Sequence, residues 1–165
     1  MGRRYILSGE NLTLSTGSVL AALQTAAAAA AGSIIAIERI EVSQSHSTST
    51  QNVRLAIGQR DTAGTLTVTS ATPNPIVLGG PASGIAGGTS PLTAAKSGVN
   101  SSADSGGTYT NTYVVNPNNQ GGFAWVAIPE HKLILPPSTV LAVRFLAAPT
   151  DTAGWTVAIV FDELF

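Results

Sequence analysis

The chain has 165 residues and a mass of 16.7 kDa, the size of one ordinary domain with room for a sizeable core. Eight Lys and Arg stand against nine Asp and Glu, for a net charge of -1, and only 10% of residues are charged where a soluble domain usually has about 25%. With no surplus of cations, nucleic-acid binding through a basic patch is disfavoured, and with no Cys there is neither a disulfide framework nor a thiolate metal site.

A folded monomer of this mass exposes roughly 7,600 Å², which leaves about 450 Å² for each formal charge. So neutral a surface, with a mean hydropathy of +0.26, points to coverage by neighbouring subunits or by another protein.

At the N-terminus Arg3 and Arg4 are followed by Tyr5, Ile6 and Leu7 and then by polar Ser8 to Asn11, so no apolar signal-peptide segment forms. Residues 1–8 read as an N-terminal arm or an edge strand, with Tyr5–Ser8 and Leu12–Leu14 as short strands. Val19–Ile37 lacks charge over 19 residues, but Ala, Gln24, Thr25, Gly32 and Ser33 weaken it as a membrane span, and Ile40 and Val42 continue the apolar signal past Glu38 and Arg39. Strands over Ser18–Gln24 and Ile34–Ser43 fit better. Between them the six alanines Ala26–Ala31 suit either a short helix or a tight connection.

The alternation of Ile34–Ser43 falters at Glu38 and Arg39, which a β-bulge or burial of both faces would explain. Arg39 and Glu41 then form a same-face pair of modest value, while Glu38 and Glu41 fall on opposite faces if the strand is regular.

Val53, Leu55 and Ile57 alternate with Arg54 and Ala56, and Leu66 and Val68 alternate with threonines. Asp61-Thr62-Ala63-Gly64 and Asp151-Thr152-Ala153-Gly154 repeat the residue pattern of a type I turn. From Pro73 to Gly107 the chain is dense in Gly, Ser, Ala and Pro, and residues 79–107 read as a long projecting or partner-contacting loop.

Tyr109–Val115, Gly122–Ile128 and Lys132–Leu135 read as further strands, followed by the alternating Leu141, Val143, Phe145 and Trp155, Val157, Ile159, Phe161. So many short strands separated by Gly and Pro predict an all-β sandwich or barrel, one domain spanning residues 1–165 with at most one short helix.

Residues for chemistry are sparse. His46 lies in a Ser- and Thr-rich loop and His131 at the entry to a strand, neither in a nucleophile-base context, and no Gly-x-Ser-x-Gly elbow occurs. Asp162 and Glu163 point to opposite faces, unlike a glycosidase pair. Two distant histidines make a weak metal set, and Gly79-Gly80 and Gly87-Gly88 lack the Lys and helix of a phosphate loop. Asn11-Leu12-Thr13 and Asn100-Ser101-Ser102 match the N-glycosylation pattern without a signal peptide to give it meaning. Sugar stacking would draw on exposed aromatics, but these are 5% of the chain, Trp155 alternates as a core residue, and only Trp125 is a candidate. No catalytic, metal or cofactor residue is therefore expected.

The stretches Ile34–Ser45, Val53–Gln59, Gly122–Trp125, Ile128–Glu130, Leu135–Ser138, Leu141–Phe145 and Ile159–Glu163 resemble the small single-domain jelly-roll proteins that decorate or cement the capsids of tailed bacteriophages. The resemblance implies a single jelly-roll-like antiparallel β-sandwich and a structural virion protein without enzymatic activity. It would be made in the host cytoplasm and bound to the outer surface of the shell, stabilising contacts between capsomers. Its expected partners are the major capsid protein and further copies of itself, often as a trimer, with neither nucleic acid nor membrane involved. Arg3, Arg4 and Tyr5 in the arm and Pro81, Pro91 and Lys96 in the long loop are the residues expected to meet those partners. The alternative is a tail, head-fibre or receptor-binding component, marked by few copies per particle and affinity for a cell-surface glycan, and the third reading is an enzyme or lone carbohydrate-binding module, whose mark would be glycan binding with an exposed Trp125.

Overall fold

The computed structural model describes residues 4–15, 18–25, 34–45, 48–62, 64–71, 73–76 and 97–164. They form twelve strands: β1 (Arg4–Leu12), β2 (Val19–Gln24), β3 (Ile34–Gln44), β4 (Leu55–Asp61), β5 (Thr65–Ser70), β6 (Asn74–Pro75), β7 (Gly98–Ser105), β8 (Thr110–Val115), β9 (Phe123–Val126), β10 (Leu133–Leu135), β11 (Thr139–Phe145) and β12 (Trp155–Leu164). The single helical element among the described residues is a 3-10 turn at Pro129–His131. The Ala26–Ala31 segment lies outside the described residues.

Two antiparallel sheets pack face to face as a jelly-roll-like β-sandwich. The first runs β10-β3-β12-β1-β6, with β9 also on β3, and the second runs β5-β7-β2-β11-β4-β8. β9 and β10 share one edge of β3: β9 pairs with Arg39–Val42 and β10 with Ile35–Ile37, and the 3-10 turn lies between them. The period-two residues of each sheet meet in one core: Tyr5 and Leu7 of β1, Ile40 of β3, Leu55 and Ile57 of β4, Leu141 and Val143 of β11, and Trp155 to Phe161 of β12. Phe145 meets Trp155 edge to face with ring centroids 4.8 Å apart.

The second sheet is also buried on its far side. Val19 and Ala22 of β2 with Val140 and Ala142 of β11 pack against Leu66 and Val68 of β5 and against Tyr109, a second small core outside the sandwich. This explains why β2 reads as an unbroken apolar run: both of its faces are covered.

The faltering alternation of β3 is a bulge. Val160 of β12 stands opposite Arg39 and Phe161 opposite Ile37, which leaves Glu38 as the extra residue. Glu38 and Glu41 consequently share the outer face, because the strand is not regular there. Gly64 and Gly154 close the two Asp-Thr-Ala-Gly turns in the left-handed conformation, with φ of +78° and +74°.

Two segment readings change. Residues 4–12 are not an arm: β1 is one strand paired to β12 along its length and, at Tyr5 and Ile6, to the two-residue β6 on its other side, with a register shift between Gly9 and Leu12 and Asn11 at φ +49°. The projecting loop over 79–107 is shortened at its end, since 98–105 form β7, paired to β5 and β2. Its polar sequence hides it: only Gly98, Val99 and Ser101 of this strand are buried, and Ser101 Oγ accepts the Val19 N–H at 3.0 Å. Residues 77–96 lie outside the described residues.

Candidate interaction surfaces

The outer face of the first sheet gathers charge into one neutral cluster. The bulge at Glu38 turns this carboxylate toward Lys132, which donates a hydrogen bond to it, and toward Arg4 at 3.6 Å. Arg4 of β1 forks onto Asp162 of β12 through Nε at 2.8 Å and a terminal nitrogen at 3.0 Å, and Lys132 stands 3.7 Å from the same carboxylate. Two cations and two anions cancel. The Arg4 hydrogen bonds hold the Asp162 carboxyl below the usual carboxylate range, and the carboxylates raise Arg4 and Lys132 in turn. Beside the cluster, Arg39 and Glu41 form the exposed same-face pair the sequence predicts, at 3.5 Å.

Outside the second sheet a guanidinium is buried. The Arg60 side chain is 1% exposed and meets Asp104 at 3.2 Å, and Arg60 and Arg144 stand 4.8 and 4.3 Å from the centre of the Tyr109 ring. Burial first, and then the Asp104 charge, push the Tyr109 phenol up to about 12. Every cation of this group faces a ring, a carboxylate or, for Arg144, the Asn111 side-chain oxygen at 3.0 Å. The group fastens β7 and Tyr109 to the sheet.

At one end of the sandwich a network of amides ties three loops together. Gln44 donates to the Asp151 and Ala153 carbonyls, Asn119 donates to the Gln44 side-chain oxygen at 2.8 Å, and the Asp151 carboxylate accepts the Thr48 N–H at 2.9 Å. The Thr48 N–H, and after it the Ala153 N–H at 3.2 Å, hold the Asp151 carboxyl below its ordinary range. A small pocket nearby is lined by Leu14, Ser18, Phe145 and Pro149 among others, and none of its lining side chains is charged or an imidazole.

Of the expected contact residues, Arg4 and Tyr5 are among the described ones. Arg4 is engaged by Asp162, and Tyr5 is fully buried and stacked on Phe161 with ring centroids 5.7 Å apart, so it offers nothing to a partner in the folded subunit. Arg3, Pro81, Pro91, Lys96 and His46 lie outside the described residues. His131 is exposed on the 3-10 turn. Among the described residues no group of three His, Asp or Glu could hold a metal ion, and no helix is long and apolar enough to cross a membrane. The sequence reading missed both ion-pair clusters. The interrupted alternation at Glu38 was the available signal for the first, whereas Arg60 and Asp104 lie 44 residues apart with nothing local to join them.

The exposed large apolar residues lie at the sheet edges. Tyr113 and Val114 belong to β8, Val126 to β9, Ile128 follows it, and Ile134 is in β10, while Ile34 and Leu164 pair at the ends of β3 and β12. Tyr113 of the second sheet touches Trp125 of the first, with centroids 5.5 Å apart. No protein-family model matches the chain, and no curated protein or solved structure matches it.

Proposed function

We propose that the chain is a structural subunit that binds the outer surface of a phage capsid and stabilises the contacts between capsomers. The observation that carries the reading is how charge is distributed. Among the described residues Arg4, Glu38, Arg39, Glu41, Arg60, Asp104, Lys132 and Asp162 are in ion pairs within the subunit, while large apolar side chains stand exposed along its edges. Such a surface suits permanent contact with other protein better than recognition of a charged ligand. The resemblance to jelly-roll decoration proteins supplies the partner, the major capsid protein.

The mechanism is mass action. A subunit that binds the mature shell and not its dissociated parts stabilises the shell by RT ln(1 + [L]/Kd) for each site, and many weak sites on a closed lattice add up.

Quantitative mass spectrometry of purified virions tests the reading by giving copies of this chain relative to the major capsid protein. Hundreds per particle are expected. A handful would move the chain to a tail or fibre, and absence would refute a place in the virion.

A further inference from the structure

Residues 105–129 contain no charged side chain. This stretch supplies β8, the 116–122 connection and β9, which together form the side of the sandwich where both sheets end. β8 is the last strand of the second sheet, β9 lies on the edge of the first, and the Tyr113–Trp125 contact joins them. All of Thr110–Val114 is exposed, and Val114 and Val126 are 48% and 64% exposed.

Natural edge strands are usually guarded by Lys, Pro or inward-pointing charge, because their free N–H and C=O groups will pair with any extended chain. Thr-Asn-Thr-Tyr-Val-Val has none of these guards. One shift of register falls at Thr112, opposite the Ile57–Gly58 step, and leaves Tyr113–Val115 as the straight part of the strand. Around this neutral centre stand Arg39, Glu41 and Glu130, so the side has an apolar middle and a charged rim. Residues 110–128 number 19, near the lower end of the roughly 20–30 residues that each partner contributes to a standard interface.

We propose that this side docks a second copy of the chain about a two-fold axis, with Tyr113–Val115 of one copy antiparallel to the same residues of the other. A two-fold contact must be complementary to itself, and a strand without charge meets no like charge across the axis. Centring the pairing on Val114 places Val114 beside its own copy and Tyr113 opposite Val115, an aromatic and a β-branched residue that pair well across strands. A charged peptide would find no complement here. The short straight run provides few backbone hydrogen bonds, so Tyr113, Val114, Val126 and Ile128 must supply the rest of the contact. The contact yields a dimer, where the phage resemblance implies a trimer. It deepens the capsid reading by naming a self-contact, yet it stands or falls separately, since a monomer could still coat a shell.

The test is sedimentation equilibrium of the full chain up to about 100 μM. A mass twice the 16.7 kDa of the monomer is expected. Val114→Lys should weaken association by about 100-fold, because two ammonium groups meet on the axis. Mixing Val114→Lys with Val114→Glu should restore a heterodimer. A wild-type monomer over the whole range, or a Val114→Lys dimer as tight as the wild type, overturns the proposal. A monomer that binds shells and loses that binding with Val114→Lys assigns the edge to the shell protein instead. Should the variants fail to fold, hydrogen exchange on the wild type decides: the amides of 113–115 must gain protection as concentration rises, and unchanged exchange refutes the contact.

Discussion

Replacing Tyr5 by Ala distinguishes a core strand from a free arm. The ring is fully buried and lies on Phe161, the planes 22° apart. A buried aromatic removes about 150–250 Å² from water. At about 25 cal/mol per Å² this is roughly 4–6 kcal/mol, an upper bound because the unfolded chain already hides part of that area. Measured truncations of buried aromatics fall at about 3–5 kcal/mol. β1 remains paired on both sides in the variant, so partial collapse is hindered and a loss of about 4 kcal/mol is expected. With a urea slope of about 2 kcal/mol per M, the unfolding midpoint falls by about 2 M at unchanged slope. Trp155, buried in the same core, reports the transition by fluorescence. Tyr5→Phe keeps the ring and should lose about 1.5 kcal/mol at most. A loss below about 1 kcal/mol for Tyr5→Ala would refute the core placement and return residues 1–8 to the role of an arm.

Asp104→Ala strands the Arg60 guanidinium, whose side chain is 1% exposed, and should cost about 3–5 kcal/mol in urea unfolding. The double variant Arg60→Met, Asp104→Leu should recover most of that loss, and a single variant as stable as the wild type would show that the pair is not buried. Acid should unfold the chain progressively. The carboxyls of Asp162 and Asp151 both ionise below the ordinary value of 3.8 in the folded state, so their stabilisation is full above that value and is lost as pH falls through the lower folded values. Thermal melts below about pH 4 should show the decline, with a shallower slope for Asp162→Asn; an identical slope removes Asp162 from the account.

The period-two faces of β4, β5, β11 and β12 were legible because one side of each strand packs on a core, the second small one for β5 and the main one for the others, and the pattern records it. The bulge at Glu38 was legible for the same reason, as a break in that pattern. β7 was not, because Ser101 is buried through a hydrogen bond rather than through apolar bulk, and Asn100 bends the strand at φ +51°. The two residues of β6 are too few to form a pattern, and prolines at 73 and 75 mark a turn when read alone. Tyr5 misled in the opposite direction: two arginines beside an aromatic near the start of the chain look like a contact arm, yet β1 alternates Tyr5 and Leu7 inward with Arg4 and Ile6 outward. Tertiary pairing of Arg4 with Asp162, 158 residues away, has no local signature.

How charge is spent decides between two ways this subunit could hold its partners. If Arg3 and Arg4 gripped an acidic surface, binding would weaken steadily as salt shortens the range of their field, and adding an anion at the contact would strengthen it. Arg4 is already neutralised by Asp162, and the exposed side built by β8 and β9 carries no charge between Ser105 and Pro129. Contact made there is apolar and hydrogen-bonded, so it should hold or tighten between about 50 and 500 mM salt, where surface ion pairs are increasingly screened. Measuring self-association by sedimentation across that range separates the two, since a steep loss with salt requires cationic contacts and rules out a neutral edge as the main one.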